Sequence, residues 1–326
     1  MDALPEDIAR IIDTLTGQVS EKSLAAASEE LTHHYRSDQV GAISSLKKLE
    51  SHLAYLICRL PATFAVNCQV FSRLKESMGA FTPSSHLDIG SGPASSVIAA
   101  IDHFPSMLQT VMIERDNGFI DIAKKLLSTQ KGQFSWVAGD CFELIKKTEP
   151  CDLVTASYML SELSPDAIAP FVHDLWKGTN QVLVLVETGT MKGYRTLMRA
   201  RDALLERGAH IVAPCPHHLA CPIPEGDWCH FSVRLARSRQ HRVIKGALLG
   251  YEDEKYCYLV CSKTPVIATG ARVVGAPSPR SGHVHLKLCT LQGALEKIVV
   301  SRKMKQEYKR AKSVEWGDVY GGGESS

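Results

Sequence analysis

With 326 residues, 44% of them hydrophobic and 22% charged, the chain has the composition of a globular protein of two domains or one elaborated one, which excludes the disordered and fibrous classes. Its longest apolar runs, such as VLVLV around Val184, fall far short of the ~18 residues that a membrane helix needs, so no membrane partner is expected. The net charge of +2 hides a polarity. Residues 1–191 hold 15 Lys and Arg against 23 Asp and Glu, whereas residues 192–326 hold 22 against 12, which points to a polyanionic partner on the C-terminal half.

The N-terminus, MDALPEDIARII, is acidic where a signal or transit peptide is basic. The expectation is a bacterial-type chain without a targeting segment, in a reducing cytoplasm. Ten cysteines in such a chain suggest metal binding, catalysis or core packing rather than disulfides. Cys58, Cys68, Cys141, Cys151, Cys257 and Cys261 lie in or beside apolar runs and read as small hydrophobes.

Residues 1–78 read as an N-terminal helical domain. Ile8, Ile11, Ile12 and Leu15 share one helical face, Leu24 to Tyr35 and Leu46 to Ile57 continue the pattern, and Pro61 opens a further helix at PATFA. Residues 79–265 then alternate strand and helix. Strands are expected at His86–Ile89, Leu108–Ile113, Phe134–Ala138, Leu153–Ala156 and Val182–Val186, then at His210–Ala213 and Tyr256–Val260. Short apolar strands alternating with amphipathic helices imply an α/β fold with a parallel sheet covered on both faces. A cysteine-rich insertion, 214–250, falls between the last two strands. Residues 266–318 form a small β module with a hairpin around Gln292 and Gly293 and a basic, solvated tail, and 319–326 are expected to be disordered.

Two stretches carry chemistry. The first is LDIGSGPASS from Leu87, where Gly90 and Gly92 allow a tight turn and close approach of a ligand to a helix start. Acids end the first three strands: Asp88, Glu114 and Asp140. By the logic of dinucleotide folds, Glu114 is placed for ribose hydroxyls and Asp140 for an adenine amino group. Ser157, Tyr158 and Glu162 can line the pocket. This pattern resembles class I S-adenosylmethionine-dependent methyltransferases, whose Rossmann-like sheet binds that cofactor. A dinucleotide G-x-G-x-x-G would require glycine at Ser95. Many methyltransferases carry glycine where this chain has Ala94, and no N-P-P-Y-type motif follows the fourth strand, so no catalytic base is assigned.

The second stretch is CPHHLACPIPEGDWC, with cysteines at Cys215, Cys221 and Cys229. A loop this rich in Pro and Gly buries too little apolar surface to offset its ordering, and a thiolate-bound metal is the natural fastener. A fourth ligand is needed. Among Cys289, Cys257, Cys261, His217, His218 and His230, the reading favours Cys289, because Cys257 and Cys261 belong to a buried-looking strand while the module bearing Cys289 has no other evident reason to dock. Zinc ribbons present paired C-x2-C knuckles. The wider spacing here fits an iron–sulfur cluster better, with structural zinc as the alternative. Just after Cys229, Arg234, Arg237, Arg239, Arg242 and Lys245 supply cations suited to phosphates.

Taken together, PATFA at Pro61, LDIGSGP at Leu87, VETGTMKGYRTLMRARDALLERGAHIVAPCPH from Val186, CPIPEGDWCHFSVRLARSRQHRVIKGA from Cys221, EDEKYCYL from Glu252 and LCT at Leu288 resemble the Rsm-twenty-two family of small-ribosomal-subunit methyltransferase-like assembly proteins. The resemblance spans about residues 30–318. It implies a [4Fe–4S] cluster on Cys215, Cys221, Cys229 and Cys289, and binding to the small subunit and its rRNA during assembly, by a chain that is monomeric off the ribosome. Three functions are carried forward: methyl transfer to small-subunit rRNA, a non-catalytic assembly factor on the same fold, and a small-molecule methyltransferase with structural zinc.

Overall fold

In the computed structural model, which describes residues 3–36 and 48–321, the chain opens with four helices: α1 (Glu6–Thr16), α2 (Glu21–Arg36), α3 (Leu49–Cys58) and α4 (Leu60–Ser77). Leu46, assigned above to helical periodicity, lies outside the described residues. Alternation follows: β1 (Ser85–Ile89), α5 (Ser95–His103), β2 (Gln109–Glu114), α6 (Asn117–Leu126), β3 (Gln133–Ala138), α7 (Cys141–Leu144), β4 (Cys151–Ser157), α8 (Pro165–Lys177), β5 (Thr179–Thr188) and α9 (Met191–Leu205). The sheet is completed by β6 (His210–Ala213), β7 (Phe231–Ala236), α10 (Arg239–Lys245) and β8 (Tyr251–Ser262). Its order is β3-β2-β1-β4-β5-β8-β6, with β7 also on β8. β1 to β5 pair in parallel, and β8 runs antiparallel to β5, β6 and β7.

The purely parallel sheet expected above is therefore mixed, and β7 is a strand that apolar periodicity did not mark. Its alternation Phe231, Val233, Leu235 inward and Arg234, Ala236 outward is that of an edge strand with one wet face. β8 explains the layout. One edge pairs with β5 from Tyr256 to Ser262, while the other pairs with β7 up to Tyr256 and with β6 from Val260 onward. Residues 257–259 face a gap between two strands laid end to end, and residues 214–230 leave the sheet at that gap.

The helical segment does not build a core of its own. Leu53, Leu56, Phe64, Val70 and Phe71 of α3 and α4 share one continuous apolar cluster with Val182, Val184, Val186 and Tyr258 of the sheet, while α8 and α9 cover the other face. Tyr55 and Asn67 thus come within reach of the ends of β1, β2 and β4. Among the described residues, no single helix is long and apolar enough to cross a membrane.

The remaining strands, β9 (Ala271–Val273), β10 (Ser278–Arg280), β11 (His283–Cys289) and β12 (Leu295–Ser301), then α11 (Lys305–Ser313) and β13 (Val319–Tyr320), form a second sheet with its own small core of Val273, Val284, Leu286, Leu288, Val300, Ala311 and Tyr320. Two expectations change here. The basic tail is a helix that buries Ala311 against β11 and β12, and Val319 and Tyr320 are paired with Arg272 and Ala271 rather than disordered. Residues 322–326 lie outside the described residues.

The packing between β5 and α9 leaves no room at Gly193, where a Cβ would meet the Thr188 carbonyl oxygen at 2.1 Å. Gly193→Ala is expected to destabilise the fold by about 3 kcal/mol or more in urea unfolding. Gly208, at φ +74° with nothing near its missing Cβ, should lose only about 1 kcal/mol on the same change. Equal losses at the two positions would refute the close approach.

Candidate functional site

The glycine loop is held in shape by backbone geometry. Gly90, Gly92 and Ala94 all have positive φ (66°, 51° and 68°), and α5 begins at Ser95 directly after them. Neither glycine is confined by space, since a Cβ on Gly90 would stand 3.5 Å from Met159 and one on Gly92 would meet nothing. The left-handed conformation is what requires them. Ala94 occupies the same region with a buried methyl, which identifies the position as one where glycine relieves strain rather than makes room for ligand.

Glu114 ties β2 to this loop. Its Oε2 accepts from the Gly92 N–H at 2.7 Å, and Oε1 accepts from Arg115 and Asp116 N–H at 2.8 and 2.9 Å. Asp116 in turn caps α6 and bonds His52 of α3 at 2.9 Å. Asp140 caps α7 by accepting from Phe142 N–H, and the Ser157 hydroxyl donates to Asn67 of α4 at 3.1 Å. Gly90, Gly92, Glu114, Asp140 and Ser157 share the wall of one cavity of about 420 Å3 with Tyr55, Tyr158 and Glu162. That volume suits a cofactor. Tyr158 sits in a left-handed conformation (φ 61°) with its hydroxyl buried and unpartnered, and the Arg115–Glu162 ion pair (3.2 Å) borders the cavity. Tyr55, from a segment whose sequence suggested no chemistry, carries no motif that could have announced it.

Asp88 takes a different place from the other acids. It is 2% exposed and absent from the cavity wall, lying beneath the loop where its Oδ1 accepts from Ser96 and Thr155 hydroxyls. Thr155 also meets His86 Nε2 at 2.7 Å, and Asp88 Oδ2 has no partner among the described residues. Burial pushes the carboxyl up to about 7, Glu114 adds to this, and the Thr155 and Ser96 hydroxyls oppose it.

The cysteine loop closes over a second, smaller cavity of about 50 Å3 at the gap on β8. Cys215, Cys221, Cys229 and Cys289 all line it, together with Cys257, His217, Tyr194 and Arg201. The four cysteines named from the sequence thus share one wall, and Cys257, which that reading set aside, shares it too. Cys261 is not on this wall, and Cys257 donates its thiol to the Cys229 carbonyl at 3.1 Å. Tyr194 donates to Cys221 Sγ at 3.3 Å, and Cys289 Sγ lies 3.3 Å from His217 Nε2. Burial, reinforced by the neighbouring thiols Cys215 and Cys221, pushes Cys289 up to about 12; burial and the surrounding thiols also raise Cys229. Among the described residues, no three His, Cys, Asp or Glu side chains are grouped so as to hold a metal ion, so the ligand geometry by itself supports neither the cluster nor the zinc alternative.

Two guanidiniums underlie this loop. Arg201 of α9 donates to the Leu219 and His217 carbonyls (2.6 and 3.4 Å), and Arg272 of β9 donates to those of Pro214 and Gly317 (both 2.8 Å). The loop is pinned further by Trp228 Nε1 to the Gly189 carbonyl at 2.9 Å and by Lys287 to Asp227 at 3.0 Å.

The run of cations is divided. Arg234 is bidentate to Asp253 (2.7 and 2.8 Å) and lies over the Tyr251 ring, and Arg237 pairs with Glu252 at 3.0 Å. Arg239, Arg242 and Lys245 are exposed on α10, which packs against α2. β7 carries them roughly 20 Å from the cysteine cavity, at about 3.3 Å per strand residue, so they do not flank it as the sequence spacing suggested.

The strand order, the reversed β8 and the cavity at the ends of β1, β2 and β4 define a class I S-adenosylmethionine-dependent methyltransferase fold. Within that class the chain belongs to the Rsm22 family, whose model, described as mitochondrial small ribosomal subunit Rsm22, matches residues 49–321. Similar relatives include the human mitochondrial ribosome assembly protein METTL17, 30% identical over 287 residues, covering 82% of this chain and 62% of that protein. Another is the Rsm22-cox11 tandem protein 2, mitochondrial, of Schizosaccharomyces pombe, 26% identical over 322 residues, covering 82% of this chain and 43% of that one. The chain therefore spans less than two thirds of these relatives. Similar solved structures include magnesium protoporphyrin IX methyltransferase from Synechocystis with bound cofactor (10% identical, TM-score 0.42, 76% and 98% of the two chains) and precorrin-6y C5,15-methyltransferase from Geobacter metallireducens (17%, 0.39, 60% and 85%).

These relatives correct the expected cytoplasmic location. The family and both relatives are described as mitochondrial. The expectation rested on an acidic N-terminus, and that composition carries no address in a chain covering only part of its relatives.

Because the folded state holds a proton on Asp88 that the unfolded state releases near 3.8, this group's stabilising contribution is fully present below that pH and is lost as pH rises through about 7. Against Asp88→Asn, the wild type should therefore lose stability between about pH 4 and 7, with a difference in slope approaching ~1.4 kcal/mol per pH unit. Urea unfolding across that range tests this, and parallel profiles would place the charge elsewhere.

Proposed function

We propose that this chain is an assembly factor of the small ribosomal subunit that binds S-adenosylmethionine in the β1–β2–β4 cavity, holds a [4Fe–4S] cluster on Cys215, Cys221, Cys229 and Cys289, and grips rRNA through its basic half. The single observation that carries this reading is the convergence of those four cysteines on one cavity where the C-terminal module meets the methyltransferase sheet. Three come from the loop and the fourth from β11, so whatever binds them joins two bodies.

The donor set fits a cluster. One zinc ion draws its thiolates to ~2.3 Å from a single point, whereas a [4Fe–4S] core spreads four cysteines over separate irons. Bound there, the cluster supplies a rigid cross-link and redox chemistry. The chain's own residues do the rest: Cys257 and Trp228 fix the loop backbone, and Lys287 holds Asp227 across the joint. On the RNA side, Arg239, Arg242 and Lys245 are the exposed cations available to phosphates, while Arg234 and Arg237 stabilise the β7–β8 edge.

A second reading, methyl transfer to small-subunit rRNA, is favoured by the cofactor cavity itself, with Glu114 carrying acceptor capacity beyond its backbone bonds and Tyr158 and Glu162 beside it. Ser157, engaged by Asn67, is a pocket wall rather than a base.

Anaerobically purified protein should contain about four iron and four sulfide per chain. Cys289→Ser should lose the cluster while Cys257→Ser keeps it; stoichiometric zinc without sulfide, or the reverse result for the two variants, would overturn the assignment. The assembly role is tested by sedimentation with small subunits and by mapping rRNA methylation in cells carrying Gly90→Arg. Normal assembly without a methyl group supports catalysis as a separable activity. Unchanged assembly and methylation in cells lacking the protein would refute both readings.

A further inference from the structure

We propose that Arg201 and Arg272 are the cationic half of the cysteine centre: two buried guanidiniums whose charge is matched by the cluster's thiolates, and which thereby set how readily that centre accepts an electron. This rests on the cluster reading given above.

The charge accounting leads to it. Arg201 is 2% exposed and Arg272 is 4% exposed. Their hydrogen bonds go to the neutral carbonyls of Pro214, His217, Leu219 and Gly317. Among the described residues, Arg201 pairs with the exposed carboxylate of Asp202 at 3.7 Å, and no carboxylate forms an ion pair with Arg272. Arg201 Nε is buried without a partner, although Arg201 is on the cavity wall. Carbonyl dipoles soften the burial of a cation without cancelling it, and an unmatched buried charge is among the least tolerated features of a fold.

The groups able to supply the missing negative charge are the thiols. Arg201 shares the cavity wall with Cys215 and Cys289, and Arg272 stands directly opposite Cys289 in the β9–β11 pair while holding the carbonyl of Pro214, next to Cys215. A thiol carries no charge and matches no cation. Ligated as four thiolates to an oxidised [4Fe–4S] core they form a dianion, and two guanidiniums balance it. The two cations also come from opposite sides of the joint, Arg201 from the methyltransferase helix α9 and Arg272 from the module strand β9. Each grips carbonyls of the loop beside its cysteines. Fixed cations beside a cluster favour the reduced state, because reduction adds one more negative charge.

The test uses the full chain loaded anaerobically with iron and sulfide, with dithionite as the donor of the single electron and paramagnetic resonance as the readout. Arg272→Gln should make reduction at least tenfold less favourable, which is ~59 mV more negative for one electron, and Arg272→Lys should restore most of the shift. The same pattern is expected for Arg201→Gln and Arg201→Lys. If the Gln variants fail to fold or to retain iron while the Lys variants succeed, charge is again the requirement. A Gln variant that carries the cluster at an unchanged potential, or Lys variants that fail alongside Gln, would assign these residues to carbonyl clamping alone. Failure of the wild type to take up iron and sulfide would instead remove the cluster reading on which this inference stands.

Discussion

The pairing of β8 organises both candidate sites. A strand of twelve residues is long enough to hold β5 along one edge and to offer its other edge to two short strands in succession. The break between β6 and β7 leaves a stretch of β8 without a ladder partner, and backbone groups in a protein interior demand one. The cysteine loop crosses there, tied to β8 by the Cys257 thiol, which donates to the Cys229 carbonyl. A fully paired edge would have had no place for the insertion. On the inner side, β5 carries Glu187, buried and raised to about 7 by burial, whose carboxylate holds Ser161 at 2.6 Å in the turn that borders the cofactor cavity.

That common strand separates two kinds of site. The cofactor cavity is preformed by backbone: three left-handed residues, an acid bonded to the loop's own N–H, and caps on α6 and α7. Glu114, Asp140 and Ser157 on its walls each have a structural task, whereas the Tyr158 hydroxyl has no partner among the described residues. The cysteine cavity is preformed only in its periphery. It is lined by thiols of raised proton affinity and by Arg201, whose ion-pair partner among the described residues is the exposed Asp202.

Much of this was legible in the sequence, for reasons that differ from residue to residue. The central strands were readable because each is a short apolar run bounded by glycine or an acid, and Leu153–Ala156 or Val182–Val186 admit few other readings. β7 was hidden by the charge of its wet face, where Arg234 reads as part of a basic run until Asp253 is seen opposite it. Glu114 was legible by position, whereas Asp88 was placed in the cofactor wall by the same logic and lies under it, since both acids end strands and sequence spacing does not distinguish facing from underlying. Tyr55 and Asn67 reach the cavity only through the crossing of α3 and α4 over the sheet. The cysteines were legible as a group because three fall within fifteen residues of a loop rich in Pro and Gly, and those three share a wall with Cys289 and Cys257. Arg201 and Arg272 were the least legible, one an ordinary member of an amphipathic helix and the other a residue in a three-residue strand.

The size of the C-terminal module shows why the joint matters. Its core consists of seven buried residues, separate from the two large clusters of the methyltransferase sheet. A body of about fifty residues with so small a core is marginal by itself and needs staples. Those present are of two strengths. Arg73 to Asp318 and Lys287 to Asp227 are ion pairs with partly exposed partners, and such pairs contribute about 0–1 kcal/mol each. His230 and Phe231 against Trp316 add aromatic contact. None of these fixes orientation as a multidentate centre does. With Cys289 in the module and Cys215, Cys221 and Cys229 in the loop, an occupied cavity converts a weakly docked module into part of the methyltransferase body, and an empty one leaves the docking to contacts that thermal motion can break.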